Sequence, residues 1–315
     1  MTVTSRQRKA LLIVVFVVCG ALLLAAVNML AMITRVGRVG IPATALTTAD
    51  PGETWVIVGS DNRDYVPGGA AEYGTGQTDG GDHADIVLVF HKTARGVKAL
   101  GIPRDLMVQA ATGDPQRLTL TLNQSPGTFV SAMCLSFGIP TDHLVIVHMG
   151  ALIGVVDAVG GVDVQSQYAM RDAYSKLEIP AGPSHLDGTQ ALAYVRTRHP
   201  EYLIDGQWVP LDAMQGSLLR PRAATEVLQQ VATKLKATRN PVTWQRAAWS
   251  VSGGVVLDSH TSLFDLPQLI GMVRTPVTTL PISPTSGDII DFPTGDTYAT
   301  LTAAGFPSGG CHYYG

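Results

Sequence analysis

Two arginines separated by a single residue, Arg196 and Arg198, end the apolar run in LDGTQALAYVRTRHP, residues 186–200. A surface helix often ends with one cation, which compensates the negative end of the helix dipole. Two guanidinium groups this close together, directly after a short helix predicted to be buried, indicate a place that holds an anion. Arginine suits phosphate oxygens because its planar fork forms bidentate hydrogen bonds.

Further charged residues stand at the ends of predicted strands. They are Asp61 and Arg63 after one strand, Asp85 at the start of the next, and Arg104 and Asp105 after a third. Ligand sites in α/β sheets gather at the carboxyl ends of strands, so we expect Asp61, Arg104 and the arginine pair to meet around one ligand. Carboxylates beside arginines favour Mg²⁺ shared with phosphate oxygens, because Mg²⁺ keeps few protein carboxylates. The alternative interpretation is a set of separate surface ion pairs.

Several other kinds of site are not indicated. No G-x-x-x-x-G-K-[ST] loop and no G-x-G-x-x-G loop opening a helix is present, which argues against nucleotide binding through such loops. The sequence also lacks H-E-x-x-H, paired C-x-x-C and G-x-S-x-G motifs. With a formal net charge of −3, the chain does not favour nucleic acid as a partner.

The N-terminal region contains an apolar segment without a charged side chain, residues 11–34. At about 1.5 Å per residue this segment exceeds the ~30 Å hydrocarbon core of a bilayer, so it predicts a transmembrane helix. A buried core helix is the alternative. Arg6, Arg8 and Lys9 precede the segment, which predicts a cytoplasmic N-terminus, 1–10, and a body outside the cytoplasm. The segment offers no persuasive cleavage site, which favours an uncleaved anchor.

The rest of the chain is predicted to form one α/β domain. Residues 35–53 are rich in Gly, Pro and Thr and predict a linker. Over 54–285, strands alternate with helices, which predicts a layered domain. The main predicted strands span 54–59, 85–91, 97–103, 143–149 and 161–165, and the main predicted helices span 125–139, 150–160 and 222–237. Residues 286–315 are weakly patterned and predict a C-terminal tail.

Cys134 and Cys311 are the two cysteines outside the apolar segment, which holds Cys19. In an exported chain, two such cysteines often form a disulfide, so we predict that they pair. The alternative is one buried thiol and one thiol in a loose tail.

Seven segments of the chain resemble the LytR–CpsA–Psr family in order and rough spacing. They are VGSDNR, HADIVLVF, IPRDLMV, TLNQSPG, TDHLVIV, VVDAVGGVDV and LDGTQALAYVRTRH, and the resemblance extends over about residues 54–237. The resemblance implies one membrane helix followed by an extracytoplasmic α-β-α domain with a mixed central sheet. It further implies a Mg²⁺-dependent phosphotransferase that moves a glycopolymer from a polyprenyl-pyrophosphate carrier in the membrane onto peptidoglycan.

The resemblance also implies roles for individual residues. It matches Asp61 and Asp85 to the metal-site acids. We therefore expect catalytic roles for Asp61, Asp85, Arg104 and Arg198, and pyrophosphate binding by Arg63, Arg104, Arg196, Arg198 and Arg220. The acceptor's general base stays open among Asp61, Asp85 and Asp105.

The chain departs from the family pattern in three places. His83 stands where many members carry arginine, Ala223 and Ala224 replace part of the motif that follows Arg220, and the predicted loops 65–82 and 199–219 are longer than is typical of the family. Arg222 or His83 can substitute for a lost phosphate donor. The aliphatic segments 125–139 and 150–160 can line a tunnel for the lipid or form ordinary core.

Two other functions are compatible with the same residues. A polyprenyl-pyrophosphate hydrolase would use the same metal and arginines with water as the nucleophile. A non-catalytic lipid-binding or regulatory protein of the cell envelope would keep the tunnel and lose the metal acids, which this chain retains.

Overall fold

The computed structural model describes residues 5–48, 51–63, 66–67, 69, 82–211, 213–284 and 290–314. Within these ranges the helices are α1 Ser5–Arg35, α2 Leu118–Gln124, α3 Pro126–Phe137, α4 Met149–Ala158, α5 Gly188–Arg196, α6 Ala213–Ala237, α7 Pro241–Gly254, α8 Leu266–Met272 and α9 Gly295–Ala304. The strands are β1 Gly37–Val39, β2 Ala43–Leu46, β3 Glu53–Ser60, β4 Ala84–Thr93, β5 Gly96–Ile102, β6 Met107–Val108, β7 Gln116–Arg117, β8 His143–Val147, β9 Val162–Ser166, β10 Met170–Asp172, β11 Leu177–Ile179, β12 Gly182–Leu186, β13 Glu201–Ile204, β14 Gln207–Pro210, β15 Val255–Asp258, β16 Val277–Thr279, β17 Ile282–Pro284, β18 Asp291–Pro293 and β19 Cys311–Tyr314.

Seven strands form the central sheet, in the order β1-β15-β8-β3-β4-β5-β16. Its middle strand, β3, runs parallel to β8 and antiparallel to β4, which is in turn antiparallel to β5. The outer pairs β1–β15 and β5–β16 are parallel. The sheet is therefore mixed, as predicted.

Helices cover both faces of this sheet because its central strands are apolar on both faces. In β3, Val56 and Val58 point to one face, where they pack with residues of α2, α3 and α9. Trp55 and Ile57 alternate with them and pack with residues of α4, α6 and α8 on the other face. A continuous apolar run is typical of a strand buried on both faces. The predicted α-β-α layering is confirmed.

The N-terminal helix leads directly into the sheet. Its stretch Leu12–Arg35 is long and apolar enough to cross a membrane, and its most apolar part is not buried in the protein. That exposure argues against a core helix. Only Val36 lies between α1 and β1, which pairs with β15. The segment expected to be a linker thus supplies two strands, β1 and β2, because its short extended pieces find partners that are far away in sequence.

The C-terminal residues are also part of the packed domain. Helix α9 lies within 286–315, and β19 pairs with β2. Leu301 and Phe306 are each 1% exposed, and a disulfide joins Cys134 to Cys311, whose Cα atoms are 5.3 Å apart. The predicted disulfide is confirmed, and the segment predicted to be a C-terminal tail contains α9 and β19. The predicted domain boundary at 285 lies outside the described residues and stays a prediction.

Two elements near the arginine pair differ from the sequence interpretation. No main strand or helix was predicted between Arg198 and residue 222, but this stretch contains the hairpin β13–β14, whose turn places Asp205 at φ 50° and Gly206 at φ 76°. Asp-Gly is a strong signal for such a turn. Helix α6 begins nine residues before the predicted 222 and contains Pro221. Proline usually marks a helix start or break, which is why the first turns were missed.

Candidate active site

Asp61 and Asp85 lie at the same edge of the sheet because β3 and β4 are antiparallel neighbours. Ser60, the last residue of β3, is paired with Ala84, the first residue of β4. Asp61 is held by His83, whose backbone N donates to Asp61 Oδ1 at 2.8 Å. The His83 Nδ1 lies 3.0 Å from Asp61 Oδ2. The histidine that departs from the family pattern therefore orients one of the two predicted metal-site acids.

Arg104 connects the second acid to a chain of charges. It follows β5, which pairs with β4, and its guanidinium forms an ion pair with Asp85. Its Nε lies 3.3 Å from Asp105 Oδ2, and Asp105 Oδ1 lies 3.4 Å from Arg117 Nη1. Asp105 is only 6% exposed. The aspartates and arginines of this region thus form ion pairs with one another.

The spacing of the arginine pair follows from the end of helix α5. The helix begins with a capping box, in which Asp187 accepts from Gln190 N and the Gln190 side chain accepts from Asp187 N. Arg196 is its last residue, and Thr197 is the C-cap. The Thr197 side chain is buried and donates to Ala193 O at 3.0 Å. The residue between the two arginines therefore fixes the helix end.

Asp172, which sequence reasoning missed, holds the backbone that carries Arg198. Its side chain is 1% exposed, and Oδ2 accepts from Arg198 N at 2.8 Å and from His199 N at 3.0 Å. Oδ1 accepts from Tyr174 N at 2.9 Å. Burial opposes ionisation of Asp172, but these backbone donors outweigh it, and the pKa of the carboxyl lies below its usual value. The contact spans 26 residues, so no local motif announces it.

Arg220 is the most buried cation of the group. It lies on α6 and is 6% exposed, and its buried Nε has no hydrogen-bond partner among the described residues. Burial and the nearby charge of Arg104 lower the pKa of Arg220 to about 10, partly offset by Asp85. Leaving a buried guanidinium nitrogen without an acceptor is costly, so this position is suited to a ligand that brings an anion.

The same electrostatics show which predicted residues come together. Burial tends to raise the pKa of Asp85, but Arg104, Arg220 and Arg196 outweigh it and hold the pKa below its usual value. Burial lowers the pKa of Arg196, and the neighbouring charge of Arg63 lowers it further, whereas Asp61 raises it.

Arg198 lies in the same cluster. Burial and then Arg104 lower its pKa, against the effect of Asp105 and Asp85. All the predicted site residues therefore gather at one site, where five arginines face three carboxylates. The arginines are Arg63, Arg104, Arg196, Arg198 and Arg220, and the carboxylates are Asp61, Asp85 and Asp105. Among the described residues of this site, arginines therefore outnumber carboxylates, also when the neighbouring Arg117 and Asp172 are counted.

Arg222, considered a substitute for a lost phosphate donor, lies elsewhere. Its charge acts on Tyr194 and Tyr202, and it lines a separate groove with Glu226. His83, the other candidate substitute, contacts Asp61 and so orients an acid.

The donor set can be tested for its fit to Mg²⁺. In the part of the chain that the structure describes, no group of three or more His, Cys, Asp or Glu side chains can hold a metal ion. This excludes a cage made of those side chains alone among these residues. Mg²⁺ is commonly held by one or two carboxylates together with substrate phosphates and water, and Asp61 and Asp85 meet that requirement.

An apolar cavity opens beside this cluster. It lies between the sheet and helices α4, α5 and α6, and Asp85 and Arg196 belong to its lining. The apolar side chains around it include Ile57, Leu88, Val147, Leu152, Val195 and Leu228. The prediction that 150–160 lines a tunnel is thus supported by α4, which supplies Leu152. The segment 125–139 forms α3 and packs on the other face of the sheet as ordinary core.

The sequence of the chain matches that of known cell-wall proteins. It is 34% identical over 171 residues to the "Probable cell wall biosynthesis protein LcpB" of Corynebacterium glutamicum, covering 50% of this chain and 38% of that protein. It is 29% identical over 139 residues to the "Polyisoprenyl-teichoic acid--peptidoglycan teichoic acid transferase TagV" of Bacillus subtilis, covering 41% of this chain and 36% of that protein. The chain therefore spans well under two thirds of the length of these curated relatives.

The fold also matches a solved structure over nearly all of its length. The "LytR-Csp2A-Psr enzyme from Actinomyces oris" aligns with a TM-score of 0.72 and 32% sequence identity, covering 89% of this chain and 99% of that one. The LytR_cpsA_psr family matches residues 35–271, most of the chain. This chain belongs to the LytR–CpsA–Psr family.

Proposed function

We propose that this chain transfers a glycopolymer from a polyprenyl-pyrophosphate carrier to peptidoglycan. The observation that carries the proposal is a surplus of buried arginine charge at an apolar cavity. Arg198 and Arg220 have no side-chain hydrogen bond or ion pair with another described residue, and Arg196 lines the cavity. An apolar tail ending in a diphosphate complements both features. The name of the Bacillus subtilis relative, a polyisoprenyl-linked teichoic acid transferase, supports the same reaction class.

The arginines act on the leaving group. A sugar hydroxyl of peptidoglycan attacks the phosphorus that bears the glycopolymer, and the bond from that phosphorus to the oxygen of the lipid phosphate breaks. The products are a phosphodiester and polyprenyl phosphate, and the hydroxyl proton goes to a carboxylate. Arg196, Arg198 and Arg220 stabilise the negative charge that develops on the departing lipid phosphate.

The two acids have a different task from the arginines. Asp61 and Asp85 are the residues that would hold Mg²⁺, which neutralises phosphate charge when bound. His83 keeps the Asp61 carboxylate oriented, and Arg104 positions Asp85. Asp85 is poorly suited to accept the hydroxyl proton, because the effect of burial on its pKa is outweighed by its ion pair with Arg104, and the pKa lies below the usual value.

The orientation in the membrane is part of the proposal. With Arg6, Arg8 and Lys9 before the apolar helix, the N-terminus lies in the cytoplasm and the domain lies outside, where the Cys134–Cys311 disulfide is stable. A C-terminal reporter that is active only outside the cytoplasm is expected to give signal. Activity of a reporter that works only inside would contradict this orientation.

The reaction itself is tested by an in vitro transfer assay. The full chain is incubated with a lipid-pyrophosphate glycopolymer donor and peptidoglycan fragments, with and without Mg²⁺. We expect a phosphodiester-linked product that depends on Mg²⁺ and on Arg198. Release of the glycopolymer phosphate to water, without any linked product, would identify a hydrolase instead.

A further inference from the structure

A second opening lies on the other side of helices α5 and α6. It is an open groove of about 1360 Å³, bounded by α6, by β16 and by the segment that joins β9 to β10. On α6, Ala224 and Leu228 line the apolar cavity. Arg222 and Glu226, on the opposite side of that helix, line the groove. The groove is larger than the 300–1,000 Å³ typical of small-molecule pockets, which indicates an extended ligand.

The groove is lined by tyrosine rings and by side chains with a planar amide or carboxylate group. The rings of Tyr168 and Tyr202 lie with their centroids 6.0 Å apart. Tyr194 donates from its hydroxyl to Glu226 Oε2 at 2.9 Å. Three glutamines, Gln165, Gln167 and Gln229, add amide donors and acceptors along its length. Aromatic faces pack on the C–H faces of sugar rings, while amides and carboxylates bind hydroxyl and acetamido groups.

The charge of the groove differs from that of the arginine cluster. Among the described residues that line the groove, Arg222 and Glu226 are the two charged side chains, and their charges are opposite. A polyanion would gain little from such a surface, whereas the cluster around Arg198 and Arg220 attracts phosphate. The lining therefore fits a neutral or weakly charged saccharide chain.

The groove meets the arginine cluster at the end of α5. Arg196 lines the apolar cavity, and the next residue, Thr197, lines the groove. The end of the groove at Thr197 is therefore one residue along the chain from Arg196 of the arginine cluster.

We propose that this groove binds the saccharide chain of the peptidoglycan acceptor. The assignment rests on the proposed transfer reaction, in which attacking and leaving oxygens lie roughly in line at phosphorus. The lipid phosphate leaves towards the cavity on one side of α5 and α6. The attacking hydroxyl comes from the other side, where the groove lies. Tyr168 and Tyr202 stack on sugar rings, and Glu226, held by Tyr194, binds a hydroxyl or amide of the acceptor.

The test is equilibrium binding of a lipid-free peptidoglycan tetrasaccharide to the full chain in detergent, measured by calorimetry without donor or Mg²⁺. We expect Tyr202→Ala and Glu226→Gln each to weaken binding about tenfold, as for removal of one central contact. Tyr202→Phe, which keeps the ring, should stay within about threefold of the wild type. Tyr298→Ala, at a half-exposed tyrosine on α9 outside the groove lining, is the matched control and should bind as the wild type does.

A second arm uses the lipid-free glycopolymer of the donor. If only this glycan loses affinity in the groove variants, the groove serves the donor and the assignment to the acceptor is overturned. Tetrasaccharide binding that is absent in the wild type, or equal in all variants, also overturns it. Because binding requires no transfer, a failed groove leaves the transfer assay of Arg198 variants as a separate test of the reaction.

Discussion

The two sides of the candidate site differ in whether their charged side chains form ion pairs. On the β3–β4–β5 side, Asp61 contacts His83, and Asp85 and Asp105 are paired with Arg104. On the α5–α6 side, the side chains of Arg198 and Arg220 have no ion-pair partner among the described residues. Both sides are largely shielded from water, so the difference lies in pairing and not in exposure alone.

This contrast assigns different tasks to the two sides. A paired group is already held in position, so the strand side supplies a fixed frame for binding. A buried unpaired cation costs stability in the free protein, and that cost is recovered when an anion binds. The α5–α6 side is therefore the part of the site where binding of an anion is expected to add the missing ion pairs.

The largest effect is expected from removing the central acid. Asp85→Asn removes the ion pair with Arg104 and one of the two proposed Mg²⁺ ligands. Since a hydrogen bond to a charged group contributes about 1.5–3 kcal/mol, two such losses together should lower the transfer rate by about a hundredfold or more. The rate is measured in the transfer assay, with Asp114→Asn, at an exposed position, as the control. A wild-type rate for Asp85→Asn would remove the strand side from the mechanism.

The next effect concerns the loop that carries Arg198. Asp172→Ala leaves several backbone N–H groups without their acceptor, and we expect a loss of roughly 1–3 kcal/mol in the free energy of unfolding. Pyrophosphate affinity should also fall, by about tenfold, because Arg198 is no longer held. Asp172→Asn keeps one acceptor oxygen and should restore part of both. Reduced stability with unchanged affinity would mean that Asp172 has no part in positioning Arg198.

A smaller effect, of opposite sign, is expected at Arg220. Arg220→Met removes a buried cation whose Nε lacks an acceptor, so the free protein should melt at the same temperature or a few degrees higher. Pyrophosphate, which stabilises the wild type, should stabilise this variant much less. The measurement is the melting temperature with and without pyrophosphate. A marked fall in the melting temperature of the free variant would identify Arg220 as a structural residue.

The smallest effect is a pH dependence of stability. The folded-state pKa of Asp172 lies below the ordinary value of 3.8, so the stability from its carboxylate is fully present above that value. It is lost as the pH falls through the folded-state pKa. Unfolding free energies measured between pH 6 and pH 3 should therefore decrease towards acid, and Asp172→Asn should reduce the slope. An unchanged slope would contradict the assigned hydrogen bonds.

The charged residues of this site were easier to predict from the sequence than the residues that hold them in position. Arg196 and Arg198 stand out because their spacing follows a recognisable short helix, and Asp61 and Asp85 because they border apolar strands. Asp172 gives no such signal, since its partners lie 26 and 27 residues away and are set by tertiary packing. Arg222 was considered with the phosphate donors, although its position on α6 turns it towards the groove.

The parts of the fold that were missed are short and depend on distant partners. Strands β1 and β2 each have three or four residues, and they are stabilised by β15 and β19, which lie more than 200 residues away. Helix α9 had a local signal in the capping box of Thr294 and Thr297 and in Gly305 at φ 107°. The long apolar strands, by contrast, were predicted close to their observed bounds because their pattern is local.

Arg198 and Arg220, which lack an ion-pair partner among the described residues, are proposed to bind the diphosphate. The most direct test is calorimetric titration of inorganic pyrophosphate into the full chain and into Arg198→Ala, Arg198→Lys and Arg95→Ala, with and without Mg²⁺. Arg95, exposed in the β4–β5 turn at the opposite end of β4 from Asp85, is the control. We predict a ten- to hundredfold loss of affinity for Arg198→Ala, partial recovery with lysine, and no change for the control. Equal affinities in all four proteins would show that Arg198 does not bind the diphosphate.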